Sequence, residues 1–209
     1  MILILLPIYP LSIWVIQDKF SNNTEETMNI EDRKWEMMFD SYILSKRIKE
    51  LGDKINQDYK GKNLLVISLL KGSFIFCADL VRAIDSYNLT VNFMTTSSYG
   101  RSTESSGNVV VKSDISIEDI SNFDVLIVDD ITDTAHTMDF VVKHIAKKNP
   151  KSIRTCVLLD KPSRREVDFT ADYIGFEIED KFVVGYGFDL SLCKKVCKII
   201  SPSMVKLLS

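Results

Sequence analysis

Three segments of strand length with continuous apolar centres constrain the fold of this chain more than any other feature. LLVISLL (64–70), DVLIVDD (124–130) and RTCVLLD (154–160) are each followed by charged or turn-forming residues. A strand without polar alternation is buried on both faces, which is typical of a parallel sheet covered by helices. Because amphipathic helical patterns follow at 74–85 and 136–148, the sequence predicts an α/β domain with a doubly wound, mainly parallel sheet.

Further elements complete this pattern. A helix is predicted over 45–59, where Ile48, Leu51, Ile55 and Tyr59 recur at helical spacing between charged residues. The remaining strands are predicted at 90–96, 109–112, 172–178 and 182–188.

Composition limits the class of protein and of partner. The 209 residues are 45% hydrophobic and 26% charged, which is globular composition for one domain, with or without a small appendage. A formal net charge of -3 and no basic stripe argue against a nucleic-acid partner. Four cysteines without nearby histidines are interpreted as reduced thiols, and we expect a cytoplasmic protein.

The amino-terminal segment is less clear. Residues 2–16 are uninterruptedly apolar, but Pro7 and Pro10 break a run that is already short for a membrane span of about 20 residues. Three interpretations stay open: a weak membrane or targeting segment, a strand or loop packed on the domain, and an upstream extension of the reading frame. We favour the extension, which gives residues 1–34 as extension and linker and residues 35–209 as the domain, without membrane association.

The charged and polar residues at three strand ends indicate where a ligand binds. In open α/β sheets, ligands bind outside the carboxyl ends of the strands, so LKG (70–72), DDITDTAHT (129–137) and DKP (160–162) should converge on one crevice. Two adjacent acids followed by a loop of small and hydroxyl residues suit a sugar phosphate, with the phosphate at the loop and helix amides and the hydroxyls, or a magnesium ion, at the acids. The alternative is that Asp133 or Thr134 merely caps the following helix.

Together these segments resemble a known family. VLIVDDITDTAHT (125–137), SLLKGSFIFCADLVRAI (68–84), SSYG (97–100), LLDKPSRR (158–165) and GFEIEDKFVVGYGFD (175–189) are similar to hypoxanthine-guanine phosphoribosyltransferases of the type I phosphoribosyltransferase family. The resemblance covers about residues 45 to 190, in the family's order and spacing. The alanine in the phosphate loop, with no lysine after it, looks closest to protozoan, trypanosomatid-type members.

The resemblance implies a type I core with a small hood subdomain built from the termini, and a role for each matching residue. Asp129 and Asp130 would hold the ribose hydroxyls, and Asp133 would face N7 of the base as the candidate for proton transfer. The residues that would cradle the 5′-phosphate, mainly through backbone amides, are Thr134, Ala135, His136 and Thr137.

The family also implies pyrophosphate and purine sites. Lys71 with Gly72 would offer the pyrophosphate site, after a cis peptide bond between Leu70 and Lys71. Lys161 would donate to O6 of the purine and so select 6-oxopurines, because adenine's amino group is not an acceptor. The base would stack on Phe182, and the backbone at Val183 would read its edge.

The remaining implied roles concern magnesium, closure and partners. Asp189 would ligate magnesium near the pyrophosphate. Ser98 and Tyr99 would belong to a flap that shields the reacting centre from water. The partners implied are small-molecule substrates, a 6-oxopurine and phosphoribosyl pyrophosphate, and a homodimer or homotetramer.

Four positions depart from the family pattern, and two of them, Ala135 and the missing pyrophosphate-contacting Arg, motivate an alternative function. Asp129 stands where Glu is usual, Ala135 where Gly is usual, His136 where many members carry Lys, and Lys195 lies nearest to the position of an Arg that meets pyrophosphate. Lys for Arg loses bidentate geometry. The alternative is a catalytically impaired paralogue that binds nucleotide or phosphoribosyl pyrophosphate in a regulatory role.

Overall fold

The structure is a computed structural model of the chain, and it describes residues 12–16, 35–86, 88–98 and 109–188. The chain divides into two compact units, one of residues 47–180 and one that combines residues 1–46 with 181–209. The second unit therefore comes from both ends of the chain, as predicted for the hood.

The elements follow one another in the predicted alternation of strands and helices. In chain order they are β1 (Ile13–Ile16), β2 (Trp35–Phe39), α1 (Ser41–Asp58), β3 (Leu64–Leu70), α2 (Phe74–Ala83), β4 (Leu89–Ser98), β5 (Val109–Ser113), β6 (Asp124–Thr132), α3 (His136–Ala146), β7 (Ser152–Asp160), a short 3₁₀ helix (Pro162–Arg164), β8 (Tyr173–Glu177) and β9 (Val183–Val184).

The larger unit is built on a six-stranded sheet of order β5-β4-β3-β6-β7-β8. Every neighbouring pair is parallel except β4 with β5, which are antiparallel. The doubly wound, mainly parallel sheet predicted from the apolar runs is confirmed.

Both faces of this sheet are covered. Leu65 and Ile67 on β3 pack in one cluster with Met138, Val141 and Ile145 of α3. The intervening strand residues point to the opposite face and are equally buried, including Leu64, Val66, Leu126 and Val128. The α2 helix, which packs against β3 and β6, buries Phe76, Cys77 and Leu80. Full burial of both faces explains why these strands carry no polar alternation.

The helices follow their predicted apolar faces. Ile48, Leu51, Ile55 and Tyr59 are all buried along α1, which begins where the Asp40 carboxylate accepts the Ile43 amide at 2.8 Å. Cys77 and Cys156 are free and buried, and burial raises the pKa of both thiols, in agreement with their interpretation as reduced core residues.

The smaller unit contains a three-stranded sheet of order β2-β1-β9, in which β1 is antiparallel to both neighbours. Ile13 and Val15 on the central strand are buried. These residues lie within the segment predicted to be an extension, and here they form a strand. The boundary between residues 1–34 and 35–209 stays a prediction.

The strand predicted over 182–188 is wrong in extent, because only Val183 and Val184 form β9. Gly185, Tyr186 and Gly187 all have positive φ, at 94°, 47° and 96°, and this conformation turns the chain back so that Gly185 pairs with Phe188. Within the described ranges, no helix combines the length and the apolar character that crossing a membrane requires.

Candidate active site

The ends of three strands that are followed by charged residues lie side by side in the larger unit. β3, β6 and β7 are adjacent and parallel, so the residues that follow them leave the sheet at the same edge. The Lys161 amide donates to the Thr132 carbonyl at 2.9 Å, which ties the end of β7 to the end of β6. The predicted convergence of 70–72, 129–137 and 160–162 is confirmed.

Asp129 and Asp130 form a half-buried carboxylate pair near the end of β6. Each carboxylate accepts a backbone amide at 3.0 Å, Asp129 from Asp130 and Asp130 from Ile131. Burial and the charge of Asp130 raise the pKa of Asp129 well above its usual range, and burial raises the pKa of Asp130. Such a pair is stabilised by ligands that donate hydrogen bonds or carry positive charge, as ribose hydroxyls and divalent cations do.

Ala135 shapes the loop between β6 and α3. Its φ of 70° and ψ of 3° are left-handed, and it occupies the N-cap position of α3 without a side-chain hydrogen bond to the helix. The alternative in which Asp133 or Thr134 is the helix cap is therefore wrong. A helix N-terminus without a side-chain cap presents backbone amides to an anion, which suits a phosphate group.

The loop 133–137 is supported from the segment after β7. The Glu166 amide donates to the Thr134 carbonyl at 3.2 Å, and the Glu166 carboxylate lies 2.7 Å from Nε2 of His136. The imidazole of His136 is thereby held by a side chain 30 residues away.

Lys71 and Gly72 follow β3 beside the carboxylate pair. The peptide bond between Leu70 and Lys71 is cis, as the resemblance implies. The Ser73 hydroxyl, which donates to the Leu69 carbonyl at 2.6 Å, fixes the far side of this turn. A Cβ atom added to Gly72 would overlap the carboxylate of Asp130, so the backbone here lies directly against β6.

A series of ion pairs between side chains of alternating charge connects Asp133 with Lys161, the two residues proposed to contact the base. Lys161 is buried, with Nζ 3.5 Å from the Asp180 carboxylate, and is therefore not an ordinary surface lysine. Nε of Arg164 lies 3.2 Å from the Asp133 carboxylate, and its Nη1 lies 3.6 Å from Asp180. The order is Asp133, Arg164, Asp180, Lys161.

The other residues predicted for the site belong to other elements or lie outside the described residues. Ser98 ends β4. Phe182 and Val183 belong to the smaller unit, where Val183 is a buried residue of β9. Tyr99 and Asp189 lie outside the described residues, and within the described part no group of three or more metal-ligating side chains occurs.

The comparisons with known proteins agree with this geometry. Residues 34–190 match the family described as phosphoribosyl transferase domain. The chain belongs to the phosphoribosyltransferase family. This match covers the six-stranded sheet, all three helices and every strand end described above.

Individual phosphoribosyltransferases are similar over most of the chain. A hypoxanthine-guanine phosphoribosyltransferase of Aquifex aeolicus is 45% identical over 161 residues, which are 77% of this chain and 89% of the relative. The crystal structure of a hypoxanthine phosphoribosyltransferase from Staphylococcus aureus has a TM-score of 0.68 and 41% identity, covering 72% of this chain and 80% of that chain.

A special closeness to trypanosomatid phosphoribosyltransferases is not supported. A hypoxanthine phosphoribosyl transferase structure from Trypanosoma cruzi has 42% identity and a TM-score of 0.66, covering 72% of this chain and 81% of that chain. These values equal those of the bacterial structure within a few hundredths in TM-score and one percentage point in identity.

Sequence reasoning missed four residues that organise this phosphoribosyltransferase site, namely Arg164, Arg165, Glu166 and Asp180. The first two end the LLDKPSRR segment that helped to identify the family. Their partners include Asp133 after the neighbouring strand and, for Arg164, Asp180 beyond β8, and no local pattern pairs residues so far apart.

Proposed function

We propose that the protein transfers the 5-phosphoribosyl group from phosphoribosyl pyrophosphate to a 6-oxopurine. Hypoxanthine and guanine are the proposed bases, with xanthine as a further candidate, and the products are IMP or GMP and pyrophosphate. The observation that carries the proposal is the convergence of Asp133 and Lys161 with an acid pair and an anion-binding loop, in a chain 45% identical to a hypoxanthine-guanine phosphoribosyltransferase.

The ribose and its phosphate would bind between β6 and α3. Asp129 and Asp130 accept hydrogen bonds from the ribose hydroxyls, which lowers the cost of two neighbouring half-buried carboxylates. The amides of residues 134–137 donate to the 5′-phosphate at the helix N-terminus. The hydroxyls of Thr134 and Thr137 add donors on the same loop.

The leaving pyrophosphate would bind at Lys71 and Gly72. The backbone there lies against Asp130, so the pyrophosphate and ribose sites share a wall. Because Gly72 has no side chain, its backbone can lie against Asp130 at this wall.

The purine would lie between Lys161 and Asp133. A buried ammonium donates to O6 of a 6-oxopurine but has no acceptor for the amino group of adenine. Asp133 takes the proton that the base gives up as its ring nitrogen bonds to C1′ and the C1′–oxygen bond to pyrophosphate breaks. Phe182 would stack on the base, and the backbone at Val183 would read its edge.

Magnesium fits the chemistry of the residues present. Asp129 and Asp130 are adjacent hard oxygen donors whose raised pKa values reflect unrelieved burial and repulsion. These two would hold a magnesium ion beside the ribose hydroxyls, and Asp189 would ligate a second one near the pyrophosphate. When bound it neutralises charge on the leaving pyrophosphate.

The proposal also includes closure and assembly. Ser98 and Tyr99 would belong to a flap that excludes water while the C1′ centre is exposed. A cytoplasmic homodimer or homotetramer is the assembly that the family resemblance implies.

Product identification tests the proposed function. The purified full-length chain is incubated with hypoxanthine, phosphoribosyl pyrophosphate and magnesium, and the mixture is separated by chromatography. We expect IMP and pyrophosphate in equal amounts. Binding of IMP without formation of pyrophosphate would instead support the impaired paralogue.

A further inference from the structure

Arg165 makes an unusual set of contacts at the base of the site. Its side chain is 17% exposed, and Nη2 forms an ion pair with the Asp160 carboxylate, which is 4% exposed. Nη1 donates to the backbone carbonyls of Asp133 at 2.6 Å, Thr132 at 3.2 Å and Lys161 at 3.5 Å. Nε donates to the Phe169 carbonyl at 3.1 Å.

These contacts join the two chain segments just beyond the last paired residues of β6 and β7. β6 and β7 stop pairing at Thr132 and Asp160, and the residues that carry chemistry, Asp133 and Lys161, come one position later. Arg165 bonds the carbonyls of both. Together with the backbone bond from the Lys161 amide to the Thr132 carbonyl, it fixes the distance between the two backbones where strand pairing ends.

Only an arginine can hold this arrangement. Its planar guanidinium carries five donors in a fixed fork, whereas a lysine ammonium is a compact point charge on a flexible stem. A lysine at position 165 can keep the ion pair with Asp160. It cannot also reach carbonyls on β6 and beyond β7 in one plane.

We propose that Arg165 is a positioning residue for catalysis, which fixes the proton acceptor Asp133 relative to the O6 donor Lys161. This inference rests on the roles proposed above for those two residues. It assigns to Arg165 no contact with substrate. A shift of about 1 Å between catalytic groups can cost about a hundredfold in rate, so loss of the fork should act on turnover more than on binding.

Arg154 on β7 provides a matched control. It lies toward the opposite end of β7, where Nη1 contacts the Asp58 carboxylate and the Tyr173 hydroxyl at 2.7 Å each. Replacing either arginine by lysine removes a multidentate arginine from β7 or the loop after it. Only the change at Arg165 lies at the strand end that carries the site.

The experiment compares Arg165→Lys, Arg165→Ala and Arg154→Lys in the full chain. For each, kcat and KM for hypoxanthine and phosphoribosyl pyrophosphate are measured per folded molecule, and hydrogen exchange of the amides at 133–137 is followed. We expect Arg165→Lys to lower kcat about tenfold to a hundredfold with small changes in KM, and to speed exchange at 133–137. Arg154→Lys should do neither.

Separate outcomes test the inference and the function beneath it. A parent protein that forms no IMP would overturn the proposed function, and the exchange comparison would still decide the role of Arg165. Unchanged exchange at 133–137 in Arg165→Lys, or an equal effect of Arg154→Lys, would overturn the positioning role. If Arg165→Ala does not fold, the lysine variant carries the test.

Discussion

Gly72 lies so close to Asp130 that a single Cβ atom on the glycine would overlap the carboxylate. The turn after β3 and the end of β6 thus share one surface, and a change on one side is transmitted to the other. The glycine is required here by close approach, since its φ lies outside the positive range recorded for Gly61, Gly185 and Gly187.

Gly72→Ala should weaken binding of phosphoribosyl pyrophosphate. The added methyl group must displace Asp130 or the turn, and overpacking of this kind typically costs about 1–3 kcal/mol. We expect KM for phosphoribosyl pyrophosphate to rise about tenfold or more, while KM for the base changes little. Steady-state kinetics with each substrate varied in turn measure both values.

Gly61→Ala is the control for this substitution. Nothing lies within 4 Å of a Cβ at Gly61, but its φ of 74° makes alanine unfavourable by about 1 kcal/mol. It should lower stability without changing either KM. Equal KM values for Gly72→Ala and the parent would show that the two surfaces are not coupled.

Asp130→Asn should stabilise the ligand-free protein at neutral pH. A raised carboxyl pKa means that the folded protein holds the proton more tightly than the unfolded chain. The two carboxyl groups therefore stabilise the folded protein at pH below the usual aspartate pKa of 3.8. This contribution to the free energy of unfolding is lost as pH rises through the raised pKa values of Asp129 and Asp130. Removing one carboxylate should increase the free energy of unfolding at pH 7 by about 1 kcal/mol and abolish tight binding of phosphoribosyl pyrophosphate.

Urea unfolding between pH 4 and 8 tests this expectation. The difference between variant and parent should be largest at neutral pH and should shrink toward pH 4. Asp53→Asn changes the same charge on α1, where Asp53 pairs with Lys49 at the surface, and should show no such trend. A less stable Asp130→Asn protein at pH 7 would contradict the assigned repulsion.

Asp133→Asn should lower kcat by about 10²–10⁴-fold, because it removes the proposed proton acceptor and keeps the size of the side chain. Affinity for phosphoribosyl pyrophosphate should change little, since the loop amides and Asp129–Asp130 hold the sugar phosphate. Asp139→Asn, in the first turn of α3, is the control and should leave kcat near the parental value. Turnover of Asp133→Asn above about half the parental rate would remove Asp133 from the mechanism.

The larger unit could be predicted from sequence because its strands are buried on both faces. Runs such as 64–70 and 124–130, alternating with amphipathic helices, are typical of a parallel sheet, and its strand ends then lie at one edge with Lys71, Asp133 and Lys161. The sequence could not predict the positive φ of Ala135, because alanine rarely adopts this conformation. In the structure the φ of Ala135 is 70°.

Other features were beyond sequence reasoning for physical reasons. A four-residue strand such as 13–16 is as apolar as a membrane segment or a packed loop, and only its pairing with β2 and β9 distinguishes them. The hydrogen-bond partners of Arg165 lie as far as 33 residues away. The sequence around it therefore does not distinguish a bonded, mostly buried arginine from one exposed to solvent.

The pairing of β1 yields a prediction for the amino terminus. A protein that begins at Met28 lacks the central strand of the β2-β1-β9 sheet and should unfold at lower urea concentration than the parent. A protein that begins at Ser12 keeps the strand and should match the parent. Equal midpoints and equal activity for the Met28 form would instead support the upstream extension.

Base discrimination tests the central claim most directly. The measurement is kcat/KM for hypoxanthine and for adenine, with phosphoribosyl pyrophosphate and magnesium, in the parent and in Lys161→Gln. The buried donor at Lys161 predicts a preference for hypoxanthine well above about 10² in the parent, and a much smaller preference in Lys161→Gln, whose amide can also accept. Comparable kcat/KM values for adenine and hypoxanthine in the parent would contradict transfer to 6-oxopurines through Lys161.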